Sequence, residues 1–256
     1  MNSVEQWFKS QNWEVQAFQK QCWKAYSQGK SGMLHAPTGS GKTYALWGGI
    51  VEEMSRSKTL PKGLHALWIT PLRALGVEIQ NATQKMISDI NPELQVGLRT
   101  ADTPQSQRTK LLKTPPFGLV TTPESLHVLL GNKEHQKYFK QLRVVVVDEW
   151  HELLGSKRGV QVELALVYLR SIIPNLRVWG ISATLGNKEL AREILLGPTD
   201  NFTVVEAKIQ KKIRVHSLLP KTMERFPWRG HLGTQLLPQV LKIIEKNKST
   251  LIFTNT

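Results

Sequence analysis

Short apolar segments alternate along the chain with longer segments in which apolar residues recur at helical spacing. The apolar segments are strand-sized and lie at residues 32–36, 64–70, 94–99, 117–121, 142–147 and 176–182. Strands that are apolar on both faces are typical of a parallel sheet covered by helices on both sides. The clearest intervening helix carries one apolar stripe, formed by Val162, Ala165, Leu166, Leu169, Ile172 and Ile173. The pattern therefore predicts a doubly wound α/β domain that ends near residue 198.

The pattern changes after Pro198. Residues 201–220 are basic and have strand-like composition, residues 233–246 have helical spacing, and residues 251–253 form a further apolar strand-sized segment. A strand, a helix and a strand in this order resemble the opening of a second α/β domain. We therefore predict two regions, 1–198 as a complete domain and 199–256 as a linker followed by the N-terminal part of a second one.

The charge balance narrows the class of partner. The 256 residues carry 34 Lys and Arg against 20 Asp and Glu, a formal net charge of +14. Such an excess favours a polyanion such as nucleic acid, although it also serves solubility. The chain has no apolar run of membrane-spanning length, no basic-then-apolar N-terminus and one cysteine, Cys22. We therefore expect a cytoplasmic protein that has no membrane partner.

Residues 36–43 match the spacing of a phosphate-binding P-loop, except that Ala36 replaces the first glycine. The match follows a predicted strand and opens a predicted helix, which is the context that the motif requires. The candidate phosphate contacts are Pro37, Thr38, Gly39, Ser40, Gly41, Lys42 and Thr43. In this pattern the Lys42 amine neutralises the terminal phosphates and the Thr43 hydroxyl holds Mg²⁺. An ordinary glycine-rich turn is the alternative.

Two adjacent carboxylates, Asp148 and Glu149, directly follow the apolar segment 142–147. The end of a parallel strand places them at the same edge of the sheet as the phosphate loop. Asp148 suits water-mediated Mg²⁺ ligation, and Glu149 suits the role of general base toward an attacking water. His151 is either a polar residue at a helix start or a group that couples domains.

These residues resemble superfamily 2 helicases of the DEXH-box type, whose box matches the tetrad at 148–151. Gln19 lies where this superfamily often carries an adenine-reading glutamine. Residues 70–75, 121–125, 182–184 and 249–256 resemble motifs Ia, Ib, III and the start of motif IV. Residues 97–103 and 148–159 are similar to Lhr-like helicases, in the bacterial branch associated with an ATP-dependent DNA ligase and a nuclease.

The resemblance implies a RecA-like ATPase domain that uses ATP and Mg²⁺ to move along DNA from 3′ to 5′ in repair. It assigns coupling between the γ-phosphate and nucleic acid to His151, Ser182, Ala183 and Thr184. The nucleic-acid contact candidates are Thr70, Pro71, Arg73, Arg99, Asp102, Thr121, Thr122, Pro123 and Ser125. Hydroxyls and helix starts suit phosphate contact rather than base reading, and each threonine alternatively caps a helix. Trp13 is the candidate for lining an adenine pocket.

The family's motifs V and VI, with arginines that reach the γ-phosphate, would follow Thr256. We therefore expect these 256 residues alone to bind nucleotide weakly and turn it over slowly.

Three alternatives to a DNA helicase remain open at this point. An RNA helicase is compatible with every motif, because a phosphate track does not read the 2′-hydroxyl. A non-catalytic, nucleotide-regulated adaptor is the second alternative. A small-molecule kinase is disfavoured by the tetrad at 148–151.

Overall fold

The computed structural model describes residues 3–57, 59–182, 188–209, 214–218 and 236–253. It separates into two compact units, Met1–Ile209 and Gln210–Thr256. The first unit holds the phosphate loop and both carboxylates identified in the sequence. The second unit begins within the region assigned to a second domain.

One parallel sheet forms the centre of the first unit. Within the described residues its strands are β1 (Ser31–His35), β2 (Ala66–Ile69), β3 (Val96–Arg99), β4 (Gly118–Thr121), β5 (Val144–Val147), β6 (Arg177–Ser182) and β7 (Phe202–Glu206). They lie in the order β3-β4-β2-β5-β6-β1-β7, and every neighbouring pair is parallel. The six strands predicted from the apolar segments are all present, which confirms the predicted α/β architecture.

The seventh strand extends the first unit beyond the predicted boundary. Residues 202–206 pair with β1 from Ser31↔Phe202 to His35↔Glu206, and Ala207 N–H donates to His35 O at 2.8 Å. The chain after Pro198 therefore returns to the same sheet before the second unit begins. The sequence indicates a strand in this region, but the apolar pattern alone does not say which sheet the strand joins.

Helices cover both faces of the sheet. The first unit contains α1 (Ser3–Ser10), α2 (Ala17–Ser27), α3 (Lys42–Ser55), α4 (Arg73–Ile90), α5 (Gln105–Lys113), α6 (Pro123–Leu130), α7 (His135–Phe139), α8 (Trp150–Leu153), α9 (Lys157–Ile172) and α10 (Lys188–Leu196). Helices α1 to α4 pack on one face, and α6 to α10 pack on the other. Across the described part of the chain, none of the helices is long and apolar enough to cross a bilayer.

Side chains alternate between the two faces along each strand. In β1, Met33 belongs to the core beneath α6 to α10, and Leu34 belongs to the core beneath α1 to α4. The face beneath α3 also holds a pair of fully buried indoles, Trp47 and Trp68, whose rings are stacked at 5.9 Å with an interplanar angle of 4°. Burial on both faces explains why the strands are apolar at nearly every position.

The second unit contains α11 (Leu237–Lys246), which lies within the predicted helix 233–246. Residues 251–253 form no strand, contrary to the prediction from their apolar composition. A strand needs a hydrogen-bonding neighbour, and within residues 214–218 and 236–253 no other strand is present to provide one. Residues 226–230, part of the basic segment 201–220 and positions 233–235 lie outside the described residues.

The Trp47–Trp68 pair depends on a glycine in the neighbouring strand. A Cβ added to Gly118 on β4 would lie 2.5 Å from Trp47 Cη2, and that ring is fully enclosed. We expect Gly118→Ala to lower the free energy of unfolding by about 1–3 kcal/mol through overpacking. The control is Gly131→Ala, where a Cβ would meet its nearest atom at 3.5 Å, so stability should change little. Urea denaturation of both variants measures the difference, and equal midpoints would contradict the expectation.

Candidate functional site

The phosphate loop lies between the carboxyl end of β1 and the first turn of α3. Gly39 and Gly41 have φ angles of 76° and 86°, a region that side chains with a Cβ rarely adopt. Ala36 N–H donates to Ser182 O at 3.2 Å, which joins the start of the loop to the end of β6. Gly41 is the N-cap of α3 and has no side chain to accept from the helix amides. The loop therefore directs main-chain donors and the N-terminal end of a helix dipole outward.

Gln19 on α2 is held against this loop. Its side chain is 2% exposed, its Nε2 donates to Gly41 O at 3.1 Å, and its Oε1 accepts from Gln16 N–H at 2.9 Å. A Cβ on Gly41 would lie 2.8 Å from Gln19 Nε2, which gives a steric reason for glycine in addition to the φ angle. The sequence brings Gln19 to the nucleotide side as expected. Its reading of adenine stays a prediction, since both ends of the amide here contact the main chain.

Asp148 and Glu149 lie beside the loop because β5, β6 and β1 are neighbours in the sheet. Lys42 Nζ contacts Glu149 Oε1 at 2.8 Å, and these side chains are only 11% and 17% exposed. Glu149 has φ 45° and ψ 47°, the left-handed region that is costly for a residue with a Cβ. The backbone at the acid pair is thus held in a strained turn, which is a frequent property of functional sites.

The Asp148 carboxylate is buried, with 7% of the residue exposed. Its Oδ1 accepts from Glu149 N–H at 3.0 Å, and its Oδ2 accepts from Trp68 Nε1 at 3.4 Å. Burial, reinforced by the neighbouring Glu149 charge, raises the Asp148 pKa to about 6, and Lys42 and the two hydrogen bonds oppose this rise. The position of Asp148 agrees with the prediction, but the sequence pattern did not identify Trp68 as its partner.

His151 and Ser182 meet at the ends of β5 and β6. His151 Nδ1 lies 3.1 Å from Ser182 Oγ and 3.5 Å from Glu149 Oε2. Together with the Lys42–Glu149 pair, these contacts form a continuous polar chain from the phosphate loop to the end of β6. The coupling candidates His151 and Ser182 are therefore adjacent. Ala183 and Thr184 lie outside the described residues, so their predicted roles stay predictions.

The predicted nucleic-acid contacts lie at the carboxyl ends of β2, β3 and β4, on the same edge of the sheet as the phosphate loop. Two of them, Arg73 and Asp102, are exposed, and they pair with each other through Nη1 and Oδ1 at 2.9 Å. The buried remainder comprises Thr70, Pro71, Arg99, Thr121, Thr122, Pro123 and Ser125. The sequence did not show that Arg73 and Asp102 contact each other.

Two of the buried hydroxyls in this group bond the main chain, whereas Thr70 Oγ1 has no partner among the described residues. Thr121 Oγ1 donates to Arg99 O at 2.8 Å, and Thr122 Oγ1 accepts from Ser125 N–H at 3.4 Å as the N-cap of α6. The capping alternative thus describes Thr122 in the structure, and Thr121 ties two strand ends together. Phosphate contact by these side chains remains a prediction, and the exposed guanidinium of Arg73 is the better placed of the candidates.

An aromatic cluster adjoins the loop. Trp13 is 45% exposed and packs 5.5 Å from the Tyr44 ring and 5.7 Å from the Trp7 ring, both measured between centroids. Tyr44 directly follows Thr43, so Trp13 lies beside the start of α3. Trp7, Trp23 and Trp47 are buried core residues. The position of Trp13 is compatible with the predicted adenine pocket.

The loop and acid pair fit a nucleotide and a magnesium ion by their donor chemistry. Ser40 Oγ is buried in the loop and has no partner among the described residues. Those residues also contain no cluster of three or more His, Cys, Asp or Glu side chains that would hold a metal alone. Mg²⁺ keeps several waters and binds through one or two protein groups and the phosphates, so a hydroxyl and a carboxylate at this loop fit it. Thr43 and Asp148 are the residues that would hold it.

A parallel sheet with this strand order, phosphate loop and acid pair is a RecA-like helicase domain. Residues 16–192 match the DEAD/DEAH box helicase family, and the chain belongs to that family. An ATP-dependent helicase Lhr-Core from Methanocaldococcus jannaschii is 32% identical over 99% of the chain, which covers 31% of that protein. The chain thus spans about a third of the length of this curated relative.

Two further comparisons agree on the Lhr-like character. The Lhr helicase/uracil glycosylase of Escherichia coli is 28% identical over 99% of the chain, which covers 18% of that protein. The structure of Mycobacterium smegmatis helicase Lhr bound to ssDNA and AMP-PNP superposes with a TM-score of 0.82 and 26% identity, over 99% of this chain and 34% of that one. The resemblance inferred from the motifs is confirmed at the level of Lhr-like helicases.

The raised pKa of Asp148 makes stability depend on pH. A buried carboxyl whose pKa is raised from 3.8 to about 6 stabilises the fold below pH 4, and this contribution is lost as the pH rises through 6. The asparagine variant Asp148→Asn cannot titrate. We therefore expect its free energy of unfolding, relative to that of the parent chain, to be about 1–3 kcal/mol higher at pH 7.5 than at pH 4. Urea unfolding at both pH values measures this, and a pH-independent difference would refute the shift.

Proposed function

We propose that the chain is the nucleotide-binding part of an ATP-dependent motor that translocates along or unwinds DNA. The observation that carries this proposal is the 2.8 Å contact between Lys42 and Glu149 at the mouth of the phosphate loop. It places a phosphate-neutralising amine and a candidate general base next to each other, with the buried Asp148 beside them. The polar chain through His151 to Ser182 provides a route from this centre to the end of the next strand.

In this proposal the residues act in a defined order. The loop amides and Lys42 bind the phosphates of ATP, and Thr43 and Asp148 would hold Mg²⁺, which would supply charge neutralisation at the phosphates. Because Lys42 then pairs with phosphate, the Glu149 carboxylate is released from its ion pair. Glu149 can accept a proton from a water molecule as it attacks. His151, which contacts both Glu149 and Ser182, responds to the change in charge.

Single-stranded DNA, 3′-to-5′ movement and a role in repair with a ligase and a nuclease are the finer parts of the proposal. The similar mycobacterial Lhr helicase is bound to ssDNA and AMP-PNP in its structure, which supports DNA and ATP as ligands here. RNA is the second candidate, supported by Mss116p bound to ssRNA and AMP-PNP, which at 20% identity shares only the fold. Unwinding of matched DNA and RNA duplexes decides between them.

Removing the Glu149 charge separates nucleotide binding from turnover. We expect Glu149→Gln to bind an ATP analogue about two- to fivefold more tightly, because Lys42 no longer has a competing partner. Its ATPase rate should fall by at least about 100-fold, since the general base is lost. The control is Glu93→Gln, an exposed acid that precedes β3 at the opposite edge of the sheet, whose loss should change neither quantity. The turnover comparison uses a chain extended through the second domain, and equal turnover there with and without Glu149→Gln would instead favour the non-catalytic adaptor.

The Arg73–Asp102 pair predicts opposite effects on nucleic-acid affinity. We expect Arg73→Gln to weaken single-stranded DNA binding and to reduce the slope of log affinity against log salt by about 1. Asp102→Asn should tighten binding, because Arg73 loses its carboxylate partner. Fluorescence anisotropy at several salt concentrations measures both effects.

The control for this experiment is Glu134→Gln, which removes an exposed acid paired with Lys137 on α7. Helix α7 precedes β5 and lies away from the carboxyl edge of the sheet. Tightening by Glu134→Gln equal to that by Asp102→Asn would mean that only the total charge matters. The proposed track at the ends of β2 to β4 would then be wrong.

A further inference from the structure

Trp68 lies in the middle of the sheet, where a tryptophan is ordinarily a core residue. It is 1% exposed and stands opposite Val146 of β5 and Val120 of β4. Its indole N–H, however, donates to Asp148 Oδ2 at 3.4 Å across the strand end. The indoles of Trp150 and Trp179 donate to the carbonyl oxygens of Ala191 and Lys30. The Trp7 indole donates to a carboxylate, Asp89 Oδ2, on α4 and outside the phosphate site. Trp68 is therefore linked to a carboxylate of the site.

The Asp148 carboxylate is held from two sides. Its Oδ1 accepts from the Glu149 main chain, and its Oδ2 accepts from Trp68. Each carboxylate oxygen has two lone pairs, so both oxygens keep capacity for a further donor such as a metal-bound water. One bond to each oxygen fixes the rotation of the carboxylate about its last torsion. Without the indole, only the bond from the Glu149 main chain to Oδ1 would remain.

A second indole stacks on Trp68. Trp47 stacks on it at 5.9 Å with an interplanar angle of 4°, and Trp47 belongs to α3, the helix that the phosphate loop opens. The Trp47 Nε1 atom is buried without a hydrogen-bond partner among the described residues. The two stacked rings thus have the same size, burial and location. They differ in that only Trp68 donates a hydrogen bond to Asp148.

We propose that Trp68 is a positioning residue that orients the Asp148 carboxylate toward the hydrated Mg²⁺ of the bound nucleotide. The inference rests on the proposed function, in which Asp148 takes part in holding that ion. It extends the site to β2, a strand whose end otherwise belongs to the nucleic-acid edge. Trp68 also connects Asp148 to α3 through the stack with Trp47.

The test compares Trp68→Phe with Trp47→Phe in the full 256-residue chain. Either change replaces one indole of the same stack with a smaller phenyl ring. Only Trp68→Phe removes a hydrogen-bond donor from Asp148. Fluorescence polarisation of a labelled ATP analogue gives the Mg²⁺ concentration for half-maximal binding. We expect Trp68→Phe to raise this concentration about three- to tenfold and Trp47→Phe to change it less than about twofold. Affinity in EDTA should be the same for both variants.

Two outcomes of this comparison would overturn the proposal. If both variants raised the Mg²⁺ requirement equally, the effect would come from the packing of the stack rather than from the donor. If neither raised it, the indole would not position the carboxylate. Urea unfolding of both variants shows whether each is folded and how much stability each loses. A purely structural role would lower stability without changing the Mg²⁺ requirement selectively.

A second measurement tests the hydrogen bond without nucleotide. In a ¹H–¹⁵N spectrum the Trp68 indole resonance is the one missing from Trp68→Phe, and the Trp47 resonance is assigned in the same way. We expect Asp148→Ala to shift the Trp68 resonance and to leave the Trp47 resonance in place. An unmoved Trp68 resonance would refute the contact. A parent chain that binds no nucleotide would refute the proposed function and the positioning role, while the spectrum would still report on the hydrogen bond.

Discussion

The contact between Lys42 and Glu149 is the interaction on which the interpretation of this site depends. The two residues are 107 positions apart in the chain, and their charged atoms lie 2.8 Å apart. The sheet order makes this possible, because β6 alone separates β1 from β5 and all three strands run in the same direction. Parallel strands present their carboxyl ends at one edge, so the phosphate loop and the acid pair meet without any long-range loop.

The same edge also accommodates the candidate track for nucleic acid. Strands β2, β4 and β3 continue the sheet from β5, and each ends in residues that cap a helix or join a neighbouring strand end. Nucleotide chemistry and polyanion contact are thus parts of one continuous edge. The exposed pair Arg73–Asp102 lies at the ends of β2 and β3, where nucleic acid is expected. The buried pair Lys42–Glu149 lies at the ends of β1 and β5, where the nucleotide is expected. The hydrogen bond from Trp68 on β2 to Asp148 connects these two parts of the edge.

Most of the fold and the centre of the site followed from local sequence patterns. The phosphate loop, Asp148 and Glu149 were predictable because each directly follows an apolar strand, and parallel topology then brings them together. Side-chain contacts between neighbouring strands were not predictable, since they depend on the register of the strands and on which face of the sheet a side chain occupies. The indole contact of Trp68 is of this kind. The extent of the first unit was also missed, because no local signal shows that the strand 202–206 adds beside β1.

The left-handed backbone at Glu149 has a consequence for how this chain can vary. A residue with a Cβ at φ 45° costs roughly 1–2 kcal/mol relative to a relaxed conformation. Glycine or asparagine at this position would relieve that strain, but either would leave the Lys42 ammonium, whose side chain is 11% exposed, without its carboxylate partner. Directed evolution for heat resistance that replaced this acid would therefore have to replace Lys42 as well, because an unpaired ammonium offsets the relaxed backbone.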